Sequence, residues 1–265
     1  MGGSLAAACR RKFPDARIIG MSRSASALRL ARRKKWAHRA TRDLPSALAL
    51  ADLVILCTPV DTFPKLLSMI DRSAPKGTLV TDVGSVKGKC VRWAERRRFR
   101  RIFFVGAHPM AGSHARGIEH ANARLYDGSV IFLTRSKKTD PAAYRRVKSF
   151  WKKISSRLVE VTPVLHDQIV SEISHLPHAV AYCLMLAVPC ESLQFAANGF
   201  RDTTRVAQSA PSVWLPIFEG NRAAVLKSLR RFENTVKKFK NALGGKNTPA
   251  LRKMLLQGSA RRRQM

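Results

Sequence analysis

The feature that most constrains this chain is a change of rhythm near Pro163. Before it, short β-forming runs at 17–21, 53–58, 78–82, 102–107, 129–133 and 158–161 alternate with helix-length segments such as 25–35, 62–70 and 142–154. That alternation predicts an α/β domain over residues 1–163 with a largely parallel, doubly wound sheet. After it the strand signal stops, and residues 164–265 read as an all-helical domain. Within them 166–186 is long and mostly apolar, which predicts a helix buried on several sides. Residues 241–248 read as a loop and 261–265 as a frayed tail.

Composition narrows the function classes. With 265 residues and 45% hydrophobic content, the chain can bury one large core or two moderate ones. It has no run of about 18 uninterrupted apolar residues, so no membrane span is expected. The N-terminal apolar stretch precedes basic residues, the reverse of a secretory signal. Five scattered cysteines without a C-x-x-C pair suit reduced thiols in a cytoplasmic protein better than disulfides or zinc. The formal charge is +32, from 49 basic and 17 acidic residues, which attracts polyanions. Trp36, Trp93 and Phe99 lie near basic runs, but no repeated basic–aromatic pattern appears. Solvated basic faces are therefore expected, rather than specific nucleic-acid binding.

The chain opens Met1-Gly2-Gly3-Ser4-Leu5 and runs directly into a helical pattern. A dinucleotide fingerprint places glycines between a strand and a helix N-terminus, with an acidic residue about 20 positions later for the ribose. Gly2 fits the third glycine of such a fingerprint, and Ser22 lies 20 residues on. This reading makes the domain Rossmann-type, and expects the first strand and two glycines to be encoded before Met1. The competing reading is an unstructured start. At the ribose position stand Ser22-Arg23-Ser24 instead of a carboxylate. A hydroxyl beside a guanidinium accommodates a 2′-phosphate, so NADP is favoured over NAD. Ser24 also reads as a helix N-cap. Thr58-Pro59 and Val83-Gly84-Ser85 fall at strand ends, where such sheets contact ligands.

Four segments in order then carry a specific resemblance: Thr81-Asp82-Val83-Gly84-Ser85-Val86-Lys87-Gly88, Gly106-Ala107-His108-Pro109-Met110-Ala111-Gly112-Ser113, Ser174-His175-Leu176-Pro177-His178, and Gly199-Phe200-Arg201-Asp202-Thr203-Thr204-Arg205 continuing to Trp214. The chain resembles the prephenate/arogenate dehydrogenases. The resemblance implies NAD(P)-dependent oxidative decarboxylation of prephenate in tyrosine biosynthesis, by a homodimer built through the helical domain. It implies His108 as the group that accepts the substrate's hydroxyl proton, with Ser85 beside it. Arg205 is implied as the substrate-carboxylate ligand, with Asp202 orienting it. His175 and His178 are expected to line the substrate site, Trp214 to wall it, and Ser113 to stand at its mouth. Gly2, Gly3, Ser4 and Leu5, then Ser22, Arg23 and Ser24, then Thr58, Pro59, Val83 and Gly84 are expected to contact the cofactor.

Two residue types keep simpler readings beside these. Ser85 could N-cap a helix at 86–90, and Trp214 could be a core residue. His175 and His178, three apart, could join His108 in a metal site, but no carboxylate or thiol completes a set and none is expected. Many family members follow His-Pro-Met-Ala-Gly with Ser/Thr and Glu, whereas Ser113 here precedes His114. That departure leaves prephenate and arogenate open. The missing fingerprint and the charge also motivate a rival from another class, an inactive polyanion-binding protein.

Overall fold

The structure, a computed structural model, describes residues 1–112 and 117–265. They form two compact units, Met1–Asn221 and Arg222–Met265.

The first unit carries eight short strands among the described residues, in three ladders. β1 (Ile19–Met21) pairs parallel with β2 (Arg39–Thr41). β3 (Leu53–Leu56), β4 (Thr78–Asp82) and β5 (Ile102–Val105) form a parallel ladder in the order β3-β4-β5. β6 (Ala107–Pro109) runs antiparallel to β7 (Val130–Thr134), which is parallel to β8 (Arg157–Val161). No ladder joins β1 to β3 among the described residues. The predicted strand 102–107 divides at Gly106, where a Cβ would lie 2.6 Å from Thr134 Oγ1. The chain therefore bends from one ladder into the next at a residue without a side chain. β2 carries little strand signal of its own, because Arg39-Ala40-Thr41 is short and mostly polar.

Helices α1 (Gly2–Lys12), α2 (Ala25–Arg33), α3 (Leu44–Leu48), α4 (Phe63–Ser73), α5 (Gly88–Arg97) and α6 (Pro141–Ile154) accompany these strands. All five residues of β4 are buried, and adjacent side chains serve opposite faces. Leu79 joins Leu5, Ala8, Val147 and Trp151 in one core. Val80 joins Phe63, Leu67 and Ile70 in the other. Core burial on both faces is what a parallel sheet requires.

Past Pro163 the chain is helical, as expected, but the compact unit does not end there. Thr162 caps α7 (Pro163–Val170), its side chain accepting from Leu165 N–H, with Pro163 in the first turn. A π-helical turn, Ser171–His175, leads into α8 (Leu176–Ala187). Pro163–Ala187 is long and apolar enough to cross a membrane by length and composition. It is not an uninterrupted apolar run, because His166, Asp167, Glu172, His175 and His178 intervene. Burial on several sides also does not extend through it: in α8 only Ala181 is buried, and Leu186 is 88% exposed. α9 (Asn198–Thr204) and α10 (Pro211–Gly220) complete the unit.

The second unit is a hairpin of α11 (Arg222–Gly244) and α12 (Thr248–Arg263). The expected loop shrinks to a turn whose Asn247 side chain caps α12, and the expected frayed tail is helical to Arg263. Apolar residues Val225, Leu229, Phe232, Val236, Phe239 and Leu243 repeat along α11 at alternating four- and three-residue spacing, one face of a helix.

Trp151 is fully buried in the core around β4, and its indole N–H donates to Thr81 Oγ1 at 3.2 Å. Trp151→Ala should destabilise the chain by about 3–5 kcal/mol, through lost burial and the cavity left behind. Urea unfolding measures this; a loss under about 1 kcal/mol would mean the core does not depend on that ring.

Candidate active site

The site is built where β4 ends and β6 begins. Asp82, the last residue of β4, is fully buried. Its Oδ1 accepts the Ala107 N–H at 3.0 Å, and its Oδ2 accepts the Gly84 N–H at 2.8 Å and bonds Lys87 Nζ. One carboxylate thus ties the turn that carries Ser85 to the strand that carries His108. Lys87 is itself fully buried, so this ion pair lies out of water. Gly84 is required in the turn: a Cβ would lie 2.6 Å from Val60 Cγ1 and 2.9 Å from Asp82 Oδ2.

A second carboxylate arrives from α7. Asp167 Oδ1 accepts the Lys87 N–H and Oδ2 the Gly88 N–H, both at 2.8 Å. It satisfies backbone donors that the start of α5 leaves open. Ser85 is therefore not the helix cap; it sits half-buried on the turn ahead of it. Asp167 Oδ1 also lies 2.8 Å from His166 Nδ1, and His166 Nε2 lies 2.9 Å from His108 Nδ1. A buried line His108–His166–Asp167 results. Burial pushes the His108 pKa well below the usual histidine value, with His166, Lys87 and His175 adding to the effect. Burial lowers His166 too, against the pull of Asp167. Both rings are thus held neutral near neutral pH.

The expected substrate side divides. His175 is fully buried, its Nδ1 3.2 Å from Asn221 Nδ2, its ring edge-on to Trp214, and burial lowers its pKa to about 4. It is a packing residue beneath the site rather than a lining one. His178 is half-buried and stacks on Trp214, with ring centroids 3.4 Å apart. Its Nδ1–H donates to the Ser174 carbonyl at 2.9 Å. Burial lowers its pKa, and nearby Arg205 lowers it further. Trp214 is buried with Val86 and Ile217, in keeping with its core reading. Arg205 and Asp202 are exposed, and no ion pair joins them among the described residues. Ser113 and His114 lie outside the described residues.

At the cofactor end, α1 begins against the end of β3: a Cβ on Gly2 would lie 3.2 Å from Cys57 Cβ. Met1 provides no side-chain cap, so the first-turn N–H groups of Gly2 and Gly3 are available to a phosphate. Thr58 and Pro59 are exposed beside them. Ser4 is buried, its hydroxyl accepting from Asn122 N–H. Leu5 and Val83 correct the expectation of cofactor contact: both side chains lie in the core, and their N–H groups bond Met1 O and Leu56 O. Ser24 caps α2 through Ala27 N–H. Ser22 and Arg23 sit at the end of β1, and Arg42, which sequence reasoning overlooked, donates to Arg23 O at 2.6 Å. The Arg42 guanidinium is thus set on the turn that carries Arg23.

Three buried thiols are held protonated. Burial pushes Cys9 and Cys57 to about 12 and Cys90 to about 11, far above any working pH.

Known proteins resemble this chain over most of its length. The family model "Prephenate dehydrogenase, nucleotide-binding domain" matches residues 5–160, and "Prephenate dehydrogenase, dimerization domain" matches 162–257. Those models divide the chain near Pro163, whereas packing alone divides it after Asn221. A prephenate dehydrogenase of Bacillus subtilis is 36% identical, over 90% of this chain and 66% of that protein, so the chain spans just under two thirds of that relative. The crystal structure of prephenate dehydrogenase from Aquifex aeolicus with hydroxyphenyl propionate and NAD+ superposes with a TM-score of 0.92. It is 31% identical, covering 100% of this chain and 94% of that one. Synechocystis arogenate dehydrogenase gives a TM-score of 0.83 at 30% identity, covering 99% and 95%. From the fingerprint helix through the paired carboxylates to α12, the chain belongs to the prephenate dehydrogenase family of nicotinamide-dependent oxidoreductases.

Proposed function

We propose that the chain catalyses oxidative decarboxylation of prephenate to 4-hydroxyphenylpyruvate, with NADP and with His108 as the proton acceptor. The observation that carries this reading is the state of His108: a buried, neutral imidazole engaged through Nδ1 at the end of the nucleotide-binding sheet. A neutral imidazole keeps a lone pair for the substrate hydroxyl proton. The nicotinamide ring, when bound, supplies the hydride acceptor. His108 takes the hydroxyl proton as hydride leaves the hydroxyl-bearing carbon. The bond from ring to carboxylate then breaks, carbon dioxide departs, and its electron pair enters the ring. His108 returns the proton to the phenolate oxygen, so the protein ends as it began. Aromatisation drives the step, and the protein's work is positioning.

Arg205 and His178 are proposed to hold the substrate's carboxylates over Trp214. The electrostatic coupling of Arg205 to His178 supports this pairing, and a guanidinium binds carboxylate bidentately. Ser22, Arg23 and Arg42 are proposed to take the 2′-phosphate. We also propose a homodimer, with a second copy covering exposed apolar residues of the π-turn and α8 such as Ile173 and Leu186.

Steady-state assays with prephenate or arogenate, and NADP or NAD, test the reading; NADP-dependent turnover of prephenate above arogenate is expected, and no turnover of either would contradict it. Within that assay two substitutions should separate rate from binding. His108→Asn should lower kcat roughly 10²–10⁴-fold with little change in KM. Arg205→Lys keeps charge but loses the bidentate fork, and should raise substrate KM while leaving cofactor binding alone. A reversed pattern would exchange their roles.

Cofactor choice gives a separate check. Arg23→Ala and Arg42→Ala should each weaken NADP and leave NAD nearly untouched. Equal losses for both cofactors would mean these residues do not read the 2′-phosphate.

A further inference from the structure

The line from His108 inward is longer than accepting a proton requires. We propose that His166 and Asp167 are positioning residues that dictate which nitrogen of His108 carries the proton; this deepens the reading of His108 as proton acceptor and rests on it. The argument starts at the buried end. Asp167 accepts two backbone N–H groups, from Lys87 and Gly88. Those donors cannot reverse, so the carboxylate must also act as acceptor toward His166. His166 then carries its proton on Nδ1, and its Nε2 holds the lone pair. The next contact, His166 Nε2 to His108 Nδ1 at 2.9 Å, obliges His108 to be the donor. A neutral His108 is left with its lone pair on Nε2. Each ring has one possible proton position once Asp167 is fixed.

The same carboxylate anchors the start of α5, directly after the turn that bears Ser85. The orientation of the base and of that turn are therefore set together. Around the line stand Lys87 from the start of α5, Asp82 from β4 and His175 from the π-turn. When His108 gains a proton, the line offers the resulting imidazolium a hydrogen-bond acceptor backed by a negative charge, an arrangement that stabilises the charged intermediate.

Asp167→Asn in the full chain is the direct test. With its oxygen kept on the Gly88 N–H, the Asn amide nitrogen takes the place of Oδ1, gives up the Lys87 N–H bond and donates to His166 Nδ1, reversing both imidazoles. Histidine nitrogen-15 spectra should find His108 protonated on Nδ1 in the wild type and on Nε2 in the variant, and kcat should fall roughly 10²–10⁴-fold with cofactor affinity unchanged. A wild-type His108 protonated on Nε2, or a reversed tautomer with unchanged kcat, overturns the proposal. Should Asp167→Asn fail to fold, His166→Gln and His166→Leu decide: the Gln carbonyl can still accept from His108 Nδ1–H, so it should retain at least ten times the kcat of the Leu variant. Equal activity in those two overturns it. The spectrum needs no substrate, so failure of the proposed reaction is distinguishable from failure of the relay.

Discussion

Asp167 sits at the junction on which the rest of the site depends. Its two oxygens accept the Lys87 and Gly88 N–H groups and face His166, and its own backbone carbonyl accepts from the Asn221 side chain at 2.7 Å. Four separate pieces of chain meet there: the start of α5, α7, the end of α10 and, through His166, β6. A charge this deep is tolerated because donors surround it; an unpaired one would cost several kcal/mol. Removing such a partner leaves buried groups unsatisfied, which is why helices outside the sheet can be packed so firmly onto its strand ends.

Asp82 and Lys87 are the complementary case. A buried ion pair contributes little net stability against an apolar pair of the same volume, because desolvation offsets the attraction. What this pair contributes is placement. Asp82 takes N–H groups from the turn after β4 and from β6, at Gly84 and Ala107, while Lys87 adds positive charge near His108. That charge and the absence of water act in the same direction on His108, favouring the neutral ring.

Much of the sheet was legible because β-type runs in a parallel sheet are buried on both faces and read as apolar blocks, as 78–82 does. The family motifs brought Ser85, His108, His178, Arg205 and Trp214 to notice through their order along the chain. His166 and Asp167 went unread, because their meaning lies in partners 58 and 80 residues away. The available signal was an adjacent imidazole and carboxylate at the head of an otherwise apolar helix, where ionisable groups are expensive unless bonded. Leu5, Val83 and His175 stood inside or beside genuine motifs, yet pack inward; motif spacing does not say which neighbour of a ligand faces the core. Arg42 was missed for the opposite reason, since one arginine among 49 basic residues carries no signal until a fold sets it against Arg23.

The central claim is that burial and a hydrogen-bonded line keep His108 neutral and ready to accept a proton. The pH dependence of kcat/KM for prephenate tests it most directly, since that ratio reports groups of the free enzyme. The base acts only when unprotonated, and its pKa in the folded chain lies well below the usual histidine value of 6.5. As pH falls, activity should therefore hold through about 6.5 and decline only below it. An acid limb centred at or above 6.5 would contradict the account, because it would require a base that water still reaches.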